Sequence, residues 1–598
     1  MCGIWAHIRL LNSKKPNSDE VSQLMKGFYN LKHRGPDNSF FEMYGNNVCV
    51  GFHRLAIMSD TFTANQPFVI ESNDKVIVFI CNGEIYNHKE LRANLKNTGI
   101  TGNDSIGRSD CEVIPLLYLE HGSKKFADIF TYRAAETEST LPYVRGEFAF
   151  VLFEFTKNKH LQRIVAGRDS VGVRPLYYSA PTNSSDILMF SSEIKGFEGS
   201  TCNNIAEFPP GQLHYYNCDE LNTVSTIKHD YYKVHNMISL PENPTISVGE
   251  ERILNNVRKA VIDSIRCRLD ADKPVAFLLS GGVDSSLVAG ISAKILGRPI
   301  RTFCCGMGGG TFTDSKGNTF TSGEGTDLAY ARKVAEWIGS EHTEVFFTEE
   351  EGLDAIKDVI RTTETWDTTT IRASVGQYLV SKWIGTKTDC RVVIVGEGPD
   401  EICSSYLFNW YAPNGDALHK CAIEYIDKIH LYDGRRSDRC VSRWGLETRV
   451  PYLDPMFIDS YWKIPSEWRM PTYKGIEKWW LREAFKGTGV LPDEVLWRKK
   501  EAFSDGVSGS KRSWFQIIQE WIEEKVSDEE LINANKKYPY NTPTTKEAYY
   551  YKKLFVELFG ENRQQLIPHY WQPKWSSDGK EVSEYIDPSA RVLQVYSS

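Results

Sequence analysis

The hydrophobic pattern of the chain changes near residue 230. Before that point, apolar residues come in short runs between turn signals, as in VIVFICNGEIY (Val76–Tyr86), GEFAFVLFEF (Gly146–Phe155) and RPLYYSA (Arg174–Ala180). Runs of this length, rich in β-branched and aromatic residues, predict strands. Beyond it, Ile253, Leu254, Val257, Val261, Ile262 and Ile265 fall at helical spacing in ERILNNVRKAVIDSIRCRL. PVAFLLS (Pro274–Ser280), IRTFCCGM (Ile300–Met307) and RVVIVG (Arg391–Gly396) then read as buried strands separated by helical stretches. That alternation predicts an α/β unit with a parallel sheet.

Between the two patterns lies KVHNMISLPENPTISVGE (Lys233–Glu250), polar and interrupted by two prolines. It predicts a linker. The expected organisation is a β-rich domain over 1–225, a linker over 226–248 and an α/β domain over 249–598. The Gly/Ser/Thr-rich stretch Gly306–Gly325 predicts a mobile loop. The apolar run Val76–Cys81 is too short to span a bilayer, and no secretory leader is expected.

Composition narrows the function. Net charge is −8 over 598 residues, which argues against a nucleic-acid scaffold, because a phosphate backbone requires a basic face. The 13 cysteines contain no C-x-x-C pair. They predict reduced, buried thiols in a cytoplasmic protein rather than a zinc ribbon or disulfide framework.

The sharpest local signal is LLSGGVDSS (Leu278–Ser286), where a strand runs through two glycines into a helix. Bare backbone N–H groups and a helix N-terminus suit phosphate oxygens, and Ser280, Ser285 and Ser286 add hydroxyls. Asp284 would repel a phosphate unless a cation intervened, which implies Mg²⁺. A second strand end, VGEGPDEI, crowds Glu397, Asp400 and Glu401 into one turn. Such crowding is repulsive in a plain fold, but it suits a ligand or metal site at the carboxyl edge of a parallel sheet. Arg372 and Lys478 are the candidate cations for a triphosphate.

At the other end of the chain, Cys2 follows the initiator methionine. If Met1 is removed, Cys2 carries a thiol beside an α-amine that can act as its general base. Asn82-Gly83 can donate to an oxyanion. Arg54 suits a substrate carboxylate and Asp110 a substrate ammonium.

MCGIWA, HRGPD and NGEIYNH resemble the N-terminal glutaminase of class II amidotransferases. Together with SGGVDSS, GEGPDE, LETRVPYLD, GIEKWWLRE, KEAFSDG, HYWQPKW and DPSARVL, they resemble the glutamine-hydrolysing asparagine synthetases over nearly the whole chain. The S-G-G-x-D-S pattern is similar to the pyrophosphate loop of ATP pyrophosphatases.

The resemblance implies an αββα, Ntn-type α+β glutaminase joined to an α/β synthetase of the ATP-pyrophosphatase type, as a homodimer. It implies that Cys2 attacks glutamine, and that Arg54, Leu55, Ala56, Ile57, Met58, Asn82, Gly83, Glu84 and Asp110 bind it. Ammonia then travels through an internal tunnel to a β-aspartyl-AMP made from aspartate and ATP. Leu279, Ser280, Gly281, Gly282, Asp284, Ser285, Cys305, Arg372, Val395 and Gly396 fall to ATP and its pyrophosphate, and Asp284 and Asp400 to Mg²⁺. Glu397 and Lys478 are the implied catalytic residues of the synthetase, Glu397 as proton acceptor. The sequence departs from the family pattern at Val395, Pro399 and Ser404-Ser405. Two rival readings are a relative that adenylates another carboxylate and a non-catalytic binding protein. Intact Cys2, Asn82-Gly83-Glu84 and Asp110 oppose the lactam-forming version of the first.

Overall fold

The computed structural model describes all residues except 11–15, 60, 73, 96–108, 133–142, 182–185, 219–223, 234–248, 309–310, 314–318, 322–325, 499–512 and 584–598. The chain packs as two compact units. One is Met1–Asn236 with Asp270–Lys273 and Gly445–Glu447, and the other is the remainder.

The first unit contains twelve described strands: β1 (Gly3–Arg9), β2 (Asn38–Tyr44), β3 (Val48–Arg54), β4 (Phe68–Glu71), β5 (Lys75–Ile85), β6 (Gly146–Thr156), β7 (Leu161–Arg168), β8 (Tyr177–Ser179), β9 (Ile187–Ser191), β10 (Ile205–Glu207), β11 (Gln212–Cys218) and β12 (Val224–Asp230). They form two six-stranded sheets, in the orders β10-β8-β9-β1-β3-β2 and β12-β11-β7-β6-β5-β4.

Period-2 alternation explains how the sheets meet. Ile4, Ala6 and Ile8 of β1 and Val48, Val50 and Phe52 of β3 join Val78, Ile80, Val151 and Phe153 of the other sheet in one core. The opposite faces carry rings instead. Trp5 packs on Phe28 of the helix Ser18–Tyr29, and Phe150 packs on Phe126, which follows the helix Val113–Lys125. Both faces of each sheet are therefore covered, which is why β5 and β6 read as near-continuous apolar runs. The result is the four-layer αββα arrangement expected from the resemblance.

β12 takes residues 226–230, assigned to the linker from sequence, into the second sheet, where Val224–Asp230 pairs with Gln212–Cys218. Residues 234–248 of that linker lie outside the described residues.

In the second unit, β13 (Val275–Leu278), β14 (Arg301–Met307), β15 (Thr311–Thr313), β16 (Thr319–Thr321), β17 (Glu341–Phe347), β18 (Val392–Ile394) and β19 (Glu447–Arg449) alternate with helices. Five of them form a sheet in the order β17-β14-β13-β18-β19, and β17, β14, β13 and β18 pair in parallel. The expected mobile loop over Gly306–Gly325 is corrected in part. Its first residues extend β14, and its two Thr-Phe-Thr segments pair antiparallel as β15 and β16. Alternating β-branched and aromatic residues outweighed the glycines there.

Two strand ends carry the candidate chemistry. β13 leads through Gly281, at φ +75°, into the helix Val283–Leu296. A Cβ on Gly281 would lie 2.6 Å from the Ala331 backbone nitrogen. β18 leads into the short helix Pro399–Ile402, where Pro399 takes the first turn, a position that needs no N–H. Among the described residues, no helix is long and apolar enough to cross a membrane.

Gly83 shows how tightly β5 is held on β6. A Cβ there would sit 2.2 Å from the Glu147 carbonyl oxygen and 2.6 Å from the Phe148 Cα. Gly83→Ala is expected to destabilise the first unit by about 1–3 kcal/mol, the usual cost of overpacking. A thermal melt reads the effect, and an unchanged melting temperature would contradict it.

Candidate functional site

The first candidate site gathers at the start of β1. The Cys2 backbone N–H donates to Asn82 Oδ1 at 2.9 Å, and the Cys2 thiol lies 3.8 Å from the Leu55 carbonyl oxygen. Arg34 Nε donates to the Cys2 carbonyl at 3.0 Å. The strand β5 thus brings Asn82 to the thiol across 80 residues of sequence. Burial pushes the Cys2 thiol up to about 11, so it requires a base to react near neutrality.

Asn82 is fully buried, and its Nδ2 has no hydrogen-bond partner among the described residues. A buried amide donor without an acceptor costs about 1–3 kcal/mol, which makes it a natural contact for a transient oxyanion. Met1 is also buried, with its thioether sulfur 2.6 Å from Arg174 Nη1 and 3.6 Å from Arg34 Nη2. An uncharged thioether makes a poor partner for two guanidinium groups.

Of the other expected glutamine residues, Leu55 meets the Cys2 thiol and Arg54 acts on it electrostatically. Arg54 is buried and donates to Thr61 O, Asn65 Oδ1 and Ser59 O, at 2.9, 2.7 and 2.5 Å. It ties Ser59, Thr61 and Asn65 to the end of β3. Ala56 N–H donates to Asp37 at 2.8 Å, and Leu55 and Ile57 are buried while Ala56 and Met58 are half-buried. Asp110 accepts the Ile85 N–H at 2.7 Å and the Ser109 hydroxyl at 3.0 Å. Glu84, next to Ile85 in sequence, is also buried.

The second candidate site is an open pocket at the carboxyl edge of the parallel sheet, with about 1110 Å³ of empty volume. Leu278, Leu279, Phe303, Cys304, Cys305 and Val380 are its apolar lining. The Ser/Gly loop contributes Ser280, Gly282, Asp284 and Ser285. Gln377, Glu397, Asp400, Glu401, Asp433, Arg436, Lys478 and Arg498 contribute further polar and charged side chains.

The Ser/Gly loop is bonded to itself. Ser285 Oγ accepts the Ser280 N–H at 3.2 Å, lies 3.0 Å from Ser280 Oγ and donates to the Gly282 carbonyl at 3.3 Å. Lys478 is buried at φ +58°, a left-handed conformation that costs a non-glycine residue energy. Its ammonium lies 2.5 Å from Asp284 and 2.6 Å from Asp400. Burial alone would lower that ammonium, but the two carboxylates outweigh it and hold it charged. Asp400 also accepts the Ser405 hydroxyl at 2.5 Å, and Ser404 before it is left-handed at φ +54°. Ser405, the second of the two serines that depart from a glycine-rich pattern, therefore anchors Asp400. Burial raises the Glu397 carboxyl above the usual range, and Arg436 opposes the rise.

The family description "Asparagine synthase" matches residues 256–416 and 410–583, and "Glutamine amidotransferase domain" matches residues 1–239. The chain is 37% identical over 619 aligned positions to the glutamine-hydrolysing asparagine synthetase of Homo sapiens, covering 100% of this chain and 99% of that protein. Those of Gallus gallus and Cricetulus griseus are 37% and 38% identical at the same coverage. The chain belongs to the glutamine-hydrolysing asparagine synthetase family.

Not every residue assigned from the family pattern reaches the pocket. Arg372 does not line it. Its guanidinium is buried in a two-pronged pair with Glu547, at 2.8 and 2.6 Å, and stacks on Phe515. Gly281 and Val395 are also absent from the lining. Gly281 shapes the turn, and Val395 is 1% exposed with its N–H on the Arg449 carbonyl at 3.1 Å. Leu279, Ser280, Gly282, Asp284, Ser285, Cys305, Gly396, Glu397, Asp400 and Lys478 all line the pocket. Sequence reasoning missed Gln377, Asp433, Arg436 and Arg498. Arg498 pairs with Asp327 at 3.0 Å over the Tyr330 ring. The KEAFSDG and DPSARVL motifs lie outside the described residues.

Val395 departs from the family pattern, but its side chain faces the core. Val395→Ser is expected to change apparent ATP affinity by less than about tenfold, the limit for one neutral hydrogen bond. Pyrophosphate release measured across ATP concentrations checks this.

Proposed function

We propose that the protein is a glutamine-dependent asparagine synthetase, an ATP-dependent ligase that forms a carbon–nitrogen bond. The observation that carries this is the end-to-end match at 37% identity, joining the Cys2–Asn82 centre and the Ser/Gly-loop pocket in one chain. Glutamine is hydrolysed in the first unit. Aspartate and ATP form β-aspartyl-AMP and pyrophosphate in the second. The released ammonia converts that intermediate to asparagine and AMP.

After loss of Met1, the Cys2 amine takes the thiol proton and Sγ attacks the side-chain amide carbon of glutamine. Asn82 Nδ2 and the Gly83 N–H stabilise the oxyanion. Ammonia leaves, and water releases glutamate from the thioester. Arg54, the 55–58 segment, Glu84 and Asp110 form the glutamine pocket in this reading.

In the second unit the apolar lining takes the adenine and the Ser/Gly loop takes the phosphates. Arg372 has no place in this assignment, because its guanidinium is spent on Glu547. Asp284 and Asp400 fit Mg²⁺: their oxygens converge on one cationic nitrogen, that of Lys478. Two carboxylates completed by phosphate oxygens and water are a usual Mg²⁺ set, and the ion would neutralise phosphate charge. Lys478 holds the same carboxylates in register. Glu397 accepts a proton from the attacking nitrogen.

The reading also places a homodimer in the cytoplasm, with support from the family resemblance and from all thirteen cysteines being free thiols.

Two variants separate the halves. Cys2→Ala should abolish asparagine formation from glutamine and leave formation from added ammonium intact; normal glutamine-dependent turnover would refute the nucleophile. Glu397→Gln should retain glutaminase activity and lower asparagine synthesis by at least about a hundredfold, the low end for a general base. A loss below about threefold would mark Glu397 as a bystander.

A further inference from the structure

Glu397 is held by two side chains that no sequence motif marked. Gln377, on the helix Thr368–Lys387, is 1% exposed and donates from Nε2 to Glu397 Oε1 at 3.1 Å. Arg436, on the helix Asp433–Ser442, is 7% exposed and donates from Nη1 to the same oxygen at 3.4 Å. Nη1 also donates to Gln377 Oε1 at 2.9 Å. A guanidinium can only donate, so the Gln377 carbonyl must face Arg436 and its amide NH₂ must face Glu397. The three side chains form a closed triangle with one orientation.

Asp433 fixes the far side of the triangle. Its Oδ1 accepts from Arg436 Nε and Nη2 at 3.3 and 3.1 Å, and its Oδ2 accepts from Tyr406 at 3.2 Å. Among the described residues no side chain donates a hydrogen bond to Glu397 Oε2, and Glu397 lines the pocket. One oxygen is therefore spent on the protein and the other is open to a ligand.

We infer that Gln377 and Arg436 are positioning residues that clamp Oε1 of Glu397, so that Oε2 is the oxygen presented to the reacting nitrogen. This rests on the reading of Glu397 as proton acceptor. In that step ammonia's lone pair forms the C–N bond at the β-carbonyl carbon. The C–O bond to AMP breaks and AMP leaves with the electron pair. One N–H proton passes to Oε2.

A rotating carboxylate would populate the productive geometry only part of the time, and the clamp removes that loss. It also sets the charge state. Burial and Asp433 raise the Glu397 carboxyl, while Arg436 and Gln377 lower it. Asp400 and Glu401 from the adjoining turn, Asp284 from the helix Val283–Leu296, and Lys478 line the same pocket. Arg436 is the cation that touches Glu397.

The test measures asparagine formation by the full-length protein from ammonium, at saturating ATP and aspartate. Free ammonia is held constant across pH, and KM for ATP is recorded. Arg436→Gln is expected to move the acid limb of turnover up by about one pH unit, the low end for loss of an adjacent cation. Turnover should fall at least about tenfold with KM for ATP changed less than about twofold, because the lost group positions a base rather than the nucleotide. Arg436→Lys should give a smaller shift, and Gln377→Leu a fall in turnover with a smaller upward shift.

An acid limb left at its wild-type position in Arg436→Gln and Gln377→Leu would overturn the inference, whatever the loss of rate. If a melt shows that Arg436→Gln does not fold, Arg436→Lys and Gln377→Leu decide by the same criterion. A Glu397→Gln arm separates the two layers. A limb unmoved in that variant defeats the proton-acceptor reading. A limb abolished there but unmoved in the Arg436 and Gln377 variants defeats the positioning inference alone.

Discussion

The second unit is organised around one buried ammonium. Lys478 joins Asp284, at the helix after β13, to Asp400, in the turn after β18, and so ties three segments spread over nearly 200 residues. Two carboxylates this close would repel each other without it, and one would take up a proton. The lysine adopts an unfavourable left-handed backbone to reach them. Everything else in the pocket follows from that junction. The Ser/Gly loop is held against the acidic turn, and Ser405 and Glu397 are placed relative to both.

The first unit solves a different problem. Its two sheets bury their inner faces against each other and their outer faces against helices, so strand ends are the places where polar chemistry fits. Asn82 lies near the end of β5, just past its apolar run, and its side chain accepts the backbone N–H of Cys2. The remaining amide donor is left without an acceptor among the described residues, and in the proposed reaction it is the oxyanion that meets it. A buried donor left unmet reduces stability in the resting protein, and a ligand that meets it recovers that loss.

What could be read from the sequence depended on whether partners lie close in the chain. Cys2, Asn82-Gly83, Ser280–Ser286 and Glu397–Glu401 are short motifs at strand ends, and the β-strand and parallel α/β patterns around them emerged from hydrophobic spacing alone. Gln377 and Arg436 were invisible, because they sit on two helices whose sequences give no sign that they converge on residue 397. The pairing of Arg372 with Glu547 was hidden for the same reason: the two lie 175 residues apart. The Thr-Phe-Thr hairpin was missed because glycine content was weighted over alternation.

The self-bonded Ser280–Ser285 loop has a bearing on what happens after chemistry. Its hydroxyls already satisfy each other, so an arriving phosphate exchanges one set of hydrogen bonds for another, and only the difference counts toward affinity. In the proposed reaction the same bonds re-form when pyrophosphate departs. A loop of this kind competes with its own anion, trading tightness of capture for ease of release.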